Sequence, residues 1–198
     1  MTTTPADRPA SELLAFGVAD LVGVRFVGGA YAGADLIELR TRGVVFEDCD
    51  FSHARLSSSE HVGSAFLRCT FRDAVLRDAL FDGCKLSGSD LSGATLRPMR
   101  VIGGDWSYVT IRGSDLTDLD LRGVKLAEAD LSESKLHRGV LRDCDLRHAR
   151  VHHTDFEDAD LCGANLEGVD LLGASWRGAH VDVAQSGLFA IALGLVVD

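Results

Sequence analysis

Residues 116–170 read, in fives, LTDLD LRGVK LAEAD LSESK LHRGV LRDCD LRHAR VHHTD FEDAD LCGAN LEGVD. Each block opens on a large apolar residue, from Leu116 and Leu121 to Leu161 and Leu166. The same phase runs back to Phe16 and on to Val181 without a slip, and only Thr41 and His61 on it are polar. Two residues before most of the large ones stands a smaller residue, such as Ala129, Ser134, Cys144, Ala159 or Ala164, though near Pro98 this register turns large at Met99, Val109 and Leu119. A period of five fits neither regular element. On a helix of about 3.6 residues per turn the leucines would scatter around the cylinder. On a strand, residues five apart face opposite ways. The chain therefore turns once every five residues, and four such sides close a square coil. Coils stacked at about 4.8 Å pair backbone to backbone.

This spacing predicts an all-β fold, a quadrilateral parallel β-helix of roughly eight coils over residues 16–181. Its core is a set of ladders: Phe26, Phe46, Phe66, Leu86, Trp106 and Leu126 on one side, Tyr31, Phe51, Phe71, Leu91 and Ile111 on the next. Residues 1–15 lack the repeat and are expected to form a flexible N-terminal arm. Pro98 falls at an outward turn position, where a ring-locked φ predicts a structural kink. After Val181, Asp182 and Gln185 stand at the spacing of a capping box, so a short C-terminal α-helix is expected within 182–198. Its run of Leu188, Phe189, Ile191, Ala192 and Leu195 is too apolar for an exposed helix and too short for a bilayer. It is read as a dimerisation segment, the alternative being a plain cap over the last coil.

The chain has 198 residues, 46% hydrophobic, with 30 acidic against 20 basic side chains and a formal charge of −10. That is one domain with a sizeable core. The acidity argues against direct nucleic-acid binding. No apolar run is long enough to span a membrane, and the first residues do not read as a secretory signal. Five cysteines without C-x-x-C spacing predict reduced thiols and a cytoplasmic location.

Nothing in the pattern suggests catalysis, a cofactor or a metal. Cys49, Cys69, Cys84 and Cys144 fall in the small inward register and read as buried small residues. Cys162 points outward with no base beside it. His137, His148, His152 and His153 are outward and read as solvated surface rather than zinc ligands. His61 takes a large inward position and is expected to be a hydrogen-bonded interior histidine. No phosphate loop or nucleophile–His–Asp arrangement stands out, so the chain is read as a non-enzyme.

The outward carboxylates are more suggestive. Residues 100–198 carry a net charge of −7 against −3 for residues 1–99. Asp115, Asp118, Asp120, Asp155, Glu157, Asp158 and Asp160 gather on one part of the coil surface, with Lys135 and Arg138 between them. Outward Asp also serves turns and solubility. A narrow rod with carboxylates along its length matches the charge and girth of duplex DNA, and a groove that takes DNA could take the rod.

Ser89-Asp90-Leu91-Ser92-Gly93, Ala129-Asp130-Leu131-Ser132-Glu133 and Ala164-Asn165-Leu166-Glu167-Gly168 follow the A(D/N)Lxx motif and resemble the pentapeptide-repeat family over about 165 residues. That resemblance implies a right-handed coil. Phe46-Glu47-Asp48-Cys49-Asp50-Phe51, the stretch from Glu60 to Phe71, Leu96-Arg97-Pro98 and the ending Gly178 to Gln185 are similar to the family's gyrase-protecting members. This closer resemblance implies a homodimer joined through the C-terminal helix, acting as a DNA mimic on DNA gyrase. The contact would lie on the GyrB ATPase domain or the DNA-binding saddle of GyrA, with protection from fluoroquinolones as the outcome. The longer N-terminal arm departs from that pattern. The other reading left open is a structural or scaffolding rod for a different protein partner.

Overall fold

The computed structural model describes residues 6–8, Leu13 and residues 20–197. From Gly23 to Gly178 every fifth residue has φ between +52° and +77°, with two exceptions, Pro98 and Gly173. A positive φ at the third residue of a turn lets the next N–H reach back to the first carbonyl. Ala129 N–H donates to the Leu126 carbonyl at 3.1 Å, and Ala164 to Leu161 at 2.9 Å. The Asp or Asn before the large residue completes the corner. Its carboxylate or amide oxygen accepts the N–H two residues on, as from Ser132 to Asp130 at 3.1 Å and from Glu167 to Asn165 at 3.0 Å. The A(D/N)Lxx motif is thus the chemistry of one corner.

Four corners bring the chain back over itself after twenty residues. Phe46 lies opposite Phe66, Lys85 opposite Asp105, and Asp145 opposite Asn165, all in parallel. Strands β1 (Ala6–Arg8), β3 (Val24–Val27), β5 (Val45–Glu47) and β7 (Ala65–Leu67) form one sheet. Strands β2 (Asp20–Val22), β4 (Arg40–Arg42), β6 (Glu60–Val62), β8 (Leu80–Asp82) and β9 (Arg100–Ile102) form the other. Regular strands therefore supply about four turns rather than the eight expected. Beyond β9 the stacking continues as single-residue bridges as far as Asp160 and His180. There the corners are tight and leave only one residue per side to pair.

Of the expected arm, Ala6–Arg8 lies along β3 as the outer strand, with Ala6 opposite Val24, and Leu13 is buried. The rest of residues 1–15, and Phe16, lie outside the described residues. Pro98 occupies a left-handed slot that its ring forbids. The distortion stays at one corner: Asp78 N–H still bonds the Pro98 carbonyl, and Leu80 and Arg100 are back in register.

The interior is filled by ladders. Phe26, Phe46 and Phe66 stack at 5.3 and 4.9 Å, and Tyr31, Phe51 and Phe71 at 5.1 and 5.0 Å. The two ladders meet edge to face, as between Phe46 and Phe51 at 5.3 Å. The small register answers a different need. At the wide corners of the N-terminal half the backbone N–H lacks the turn bond. A polar small residue one coil later accepts it: Cys49 from Gly29 at 3.4 Å, Ser64 from Val44 at 3.3 Å, and Ser89 from Cys69 at 3.0 Å. Small residues also make room. Gly29 precedes Tyr31, and Gly104 precedes Trp106. A β-carbon at Gly29 would run into the Tyr31 ring, and one at Gly104 into the Cys84 carbonyl.

The α-helix α1 (Val183–Ala192) closes the far end, as the capping-box spacing predicted. Gln185 N–H donates to Asp182 at 2.9 Å, and Asp182 N–H to the Gln185 side chain at 2.8 Å. The Gln185 amide also donates to the carbonyls of Leu161 and Ala164, both at 2.7 Å, filling acceptors of the last coil. Trp176 stacks on Phe156 at 4.4 Å and meets Phe189 of α1 edge-on at 5.2 Å.

Gly104 combines a φ of +110° with backbone contact across the coils. Gly104→Ala is expected to lower stability by about 1–3 kcal/mol, read as a fall in denaturant midpoint at unchanged m-value.

Candidate partner-binding face

The outward acids occupy two adjoining sides of the solenoid. Asp115, Lys135 and Asp155 form one vertical column, and Asp120, Val140 and Asp160 another. At the corner between, Asp118, Arg138 and Asp158 all take left-handed conformations. The fold therefore brings all seven sequence-selected carboxylates onto one region, but it does not leave them alike.

Asp115, Asp120, Asp155 and Asp160 each accept a corner N–H, from Thr117, Arg122, Glu157 and Cys162, at 2.9–3.1 Å. One oxygen of each is thus structural and the other faces outward. Several are also matched by arginines. Arg97 reaches Asp115 and Asp118, both at 3.2 Å, and Arg138 takes Asp118 at 2.7 and 2.9 Å from the next coil. Arg122 holds Asp120 at 2.9 Å, Arg142 holds Asp160 at 2.8 Å, and Arg177 lies 3.6 Å from Glu157. The Thr117 side chain, with its N–H and Arg97, holds the Asp115 carboxyl below its ordinary range. The Arg138 hydrogen bond does the same for Asp118. Burial works against ionisation at Asp160, yet the bonds from Arg142 and Cys162 prevail and its carboxyl also lies low. All three are firmly anionic near neutral pH. Among the described residues Asp155 and Asp158 make no ion pair, and they form the open part of the face.

The sequence reading noted Arg138 but missed Arg97. The signal was present: Arg97 stands 18 and 21 residues before Asp115 and Asp118, one coil away on the same side. Exposed pairs of this kind add little stability. Their effect is to lower the net negative potential over Asp115–Asp120 relative to Asp155–Asp158.

The C-terminal apolar residues also divide. Phe189 and Ala192 pack against the coil end, whereas Leu188, Ile191 and Leu195 are exposed, Ile191 at 60%. Val183 and Leu172 add to the outward apolar surface. Leu172 lies on a single 3₁₀ turn, Leu171–Gly173, that replaces the left-handed corner due at Gly173 and touches α1.

The remaining candidates are structural. His61 is buried, with Nδ1 2.8 Å from the Thr41 hydroxyl and Nε2 3.0 Å from that of Ser59, as expected for an interior histidine. Burial lowers its pKa to about 3. Cys84 and Cys144 donate to carbonyls one coil back, and burial pushes their thiols up to about 11 and 12. Among the described residues no group of three His, Cys, Asp or Glu side chains is placed to hold a metal ion, and no helix is long and apolar enough to cross a membrane.

Comparison with known proteins agrees with this architecture. The family model "Pentapeptide repeats" matches eight copies, over residues 65–97, 107–143 and 140–175. A pentapeptide repeat protein MfpA of Mycolicibacterium smegmatis is 51% identical over 51 residues, 26% of this chain and 27% of its own length. The MfpA of Mycobacterium tuberculosis is 39% identical over 90 residues, 46% of this chain and 49% of its own. The chain thus matches at most about half the length of these relatives. A solved structure of trypsin-treated QnrB1, described as a plasmid-mediated fluoroquinolone resistance protein, superposes with a TM-score of 0.63 over 92% of both chains at 24% identity. At that identity the likeness bears on the fold.

His61 makes stability depend on pH with a definite sign. The unfolded chain takes up a proton near pH 6.5, while the folded chain resists it down to about 3. Stability is complete above 6.5 and falls with decreasing pH, by at most about 1.4 kcal/mol per pH unit. Denaturation between pH 6.5 and 5, above the carboxylate range, should show this slope in the wild type and lose it in His61→Phe.

Proposed function

The chain belongs to the pentapeptide-repeat family, and on that footing we propose that it binds DNA gyrase as a homodimeric rod that imitates duplex DNA, protecting the enzyme from fluoroquinolones. The observation that carries this reading is the acidic region from Asp115 to Asp160, rigidly mounted on the stacked coils of a narrow rod. A groove shaped for DNA presents cations to phosphates, and carboxylates held on a fixed lattice answer them without the ordering cost of a mobile acidic tail. The partial identity to two MfpA proteins, and a fold shared with a protein described as giving fluoroquinolone resistance, accord with this reading.

In this reading Asp155, Asp158 and the outward oxygens of Asp115, Asp120 and Asp160 face the gyrase surface. That surface is the DNA-binding saddle of GyrA or the GyrB ATPase domain. Asp118, matched by two arginines, contributes less. Leu188, Ile191 and Leu195 meet their copies across a twofold axis, while Phe189 and Ala192 fix the helix to its own coil. Such a dimer doubles the rod and presents the same face to both halves of a symmetric enzyme. The five cysteines are free, in keeping with a reducing cytoplasm.

Purified protein added to a gyrase supercoiling assay, with and without a fluoroquinolone, tests the reading. Inhibition of supercoiling, or rescue from drug-stabilised cleavage, is expected. Silence at micromolar concentrations would favour a scaffolding rod for another partner. Asp155→Lys with Asp158→Lys should weaken gyrase binding at least about tenfold, since each reversal turns an attraction into a repulsion. The melting temperature should stay within a few degrees. Ile191→Asp should give monomers in sedimentation while the melting profile of the coil is retained, because Ile191 faces away from it.

A further inference from the structure

Half a coil away from Asp118, on the opposite side of the solenoid, stands Tyr108. Its corner position is Gly in the coil before, Gly88, and Glu128 and His148 in the two coils after. Tyr108 takes the left-handed conformation too, with φ +62°, which is unusual for a bulky side chain. Burial does not compensate, because Tyr108 is 58% exposed. It stands apart from the inward aromatics of the ladders, which the fold itself requires.

The surroundings of the ring are specific. Its hydroxyl donates to Glu128 Oε1 at 3.0 Å, which ties a carboxylate to the hydroxyl end of the ring. Both line a shallow depression of about 410 Å³ that also holds Asp105, Lys125, Asp145 and Arg147. Arg147 is occupied by Asp145, at 2.8 and 2.9 Å. Asp105 gives one oxygen to the Ser107 N–H at 3.1 Å and turns the other outward. What the depression offers a visitor is the exposed Tyr108 ring and the Glu128 carboxylate, with Lys125 and His148 beside them.

We infer that Tyr108 is a second anchor on this rod, a stacking platform for an arginine of the protein partner, whose guanidinium lies on the ring and pairs with Glu128. A planar guanidinium meets both groups at once: cation–π attraction to the ring and a charge-assisted bond to the carboxylate. Exposed tyrosine is also a residue type on which binding energy concentrates in protein interfaces. The inference rests on the gyrase reading for the partner's identity, and adds that the partner grips two opposite sides of the rod.

The test titrates the wild type, Tyr108→Phe and Tyr108→Gly against gyrase and against a nona-arginine peptide. Tyr108→Gly removes the ring and suits the left-handed backbone, so its melting temperature should not fall. The expected result is a loss of about five- to twentyfold in affinity for both ligands with Tyr108→Gly, and at most twofold with Tyr108→Phe. Unchanged affinity of Tyr108→Gly for both ligands overturns the anchor. A loss for gyrase alone overturns the arginine chemistry. If the wild type ignores gyrase but Tyr108→Gly still weakens peptide binding, the gyrase reading fails and the platform stands. If the wild type binds neither ligand, both fail.

Discussion

One backbone requirement governs this molecule: at nearly every fifth residue the chain turns left-handed. The twenty-residue coil, the registered ladders and the outward columns of charge all follow from it. Glycine meets the requirement at little cost. Yet Asp118, Glu128, Glu133, Arg138, His148, His153 and Asp158 adopt the same conformation. For such residues the strain is of order 1 kcal/mol each. It is sustained because each corner is tied to the coils on either side by backbone bonds that a lone turn would lack. Many of the corners without glycine also carry charge, as at Asp118, Arg138 and Asp158, so part of the surface charge stands where the backbone is strained.

Most of this was legible in the sequence because the period is set by burial. A large residue at every fifth position has one place to go, and the ladder of Phe26, Phe46 and Phe66 could be written down from spacing alone. The capping box at Asp182 and Gln185 was equally plain. The extent of regular strand was not. It depends on whether a corner is wide, as beside Cys49 and Ser64, or tight, as beside Ala129, and both kinds share one hydrophobic pattern.

The candidate face was legible only as a location. Spacing placed Asp115 to Asp160 together, but the pairing of Arg97 with Asp115 and Asp118 depends on long side chains reaching across a coil. Likewise the run from Leu188 to Leu195 read as uniformly apolar. Which of its residues turn inward is decided by where Trp176 ends the ladder and offers its edge to Phe189.

The Gln185 amide has a consequence for the length of the molecule. A stack of like coils has no intrinsic end, since each finished rung exposes carbonyls that template another. By occupying the carbonyls of Leu161 and Ala164, Gln185 blocks that template along one side of the last coil, and the helix behind it lays a shape across the end that no coil can copy. The last turn therefore opposes the addition of a further coil at this end, where a bare rung would invite another strand.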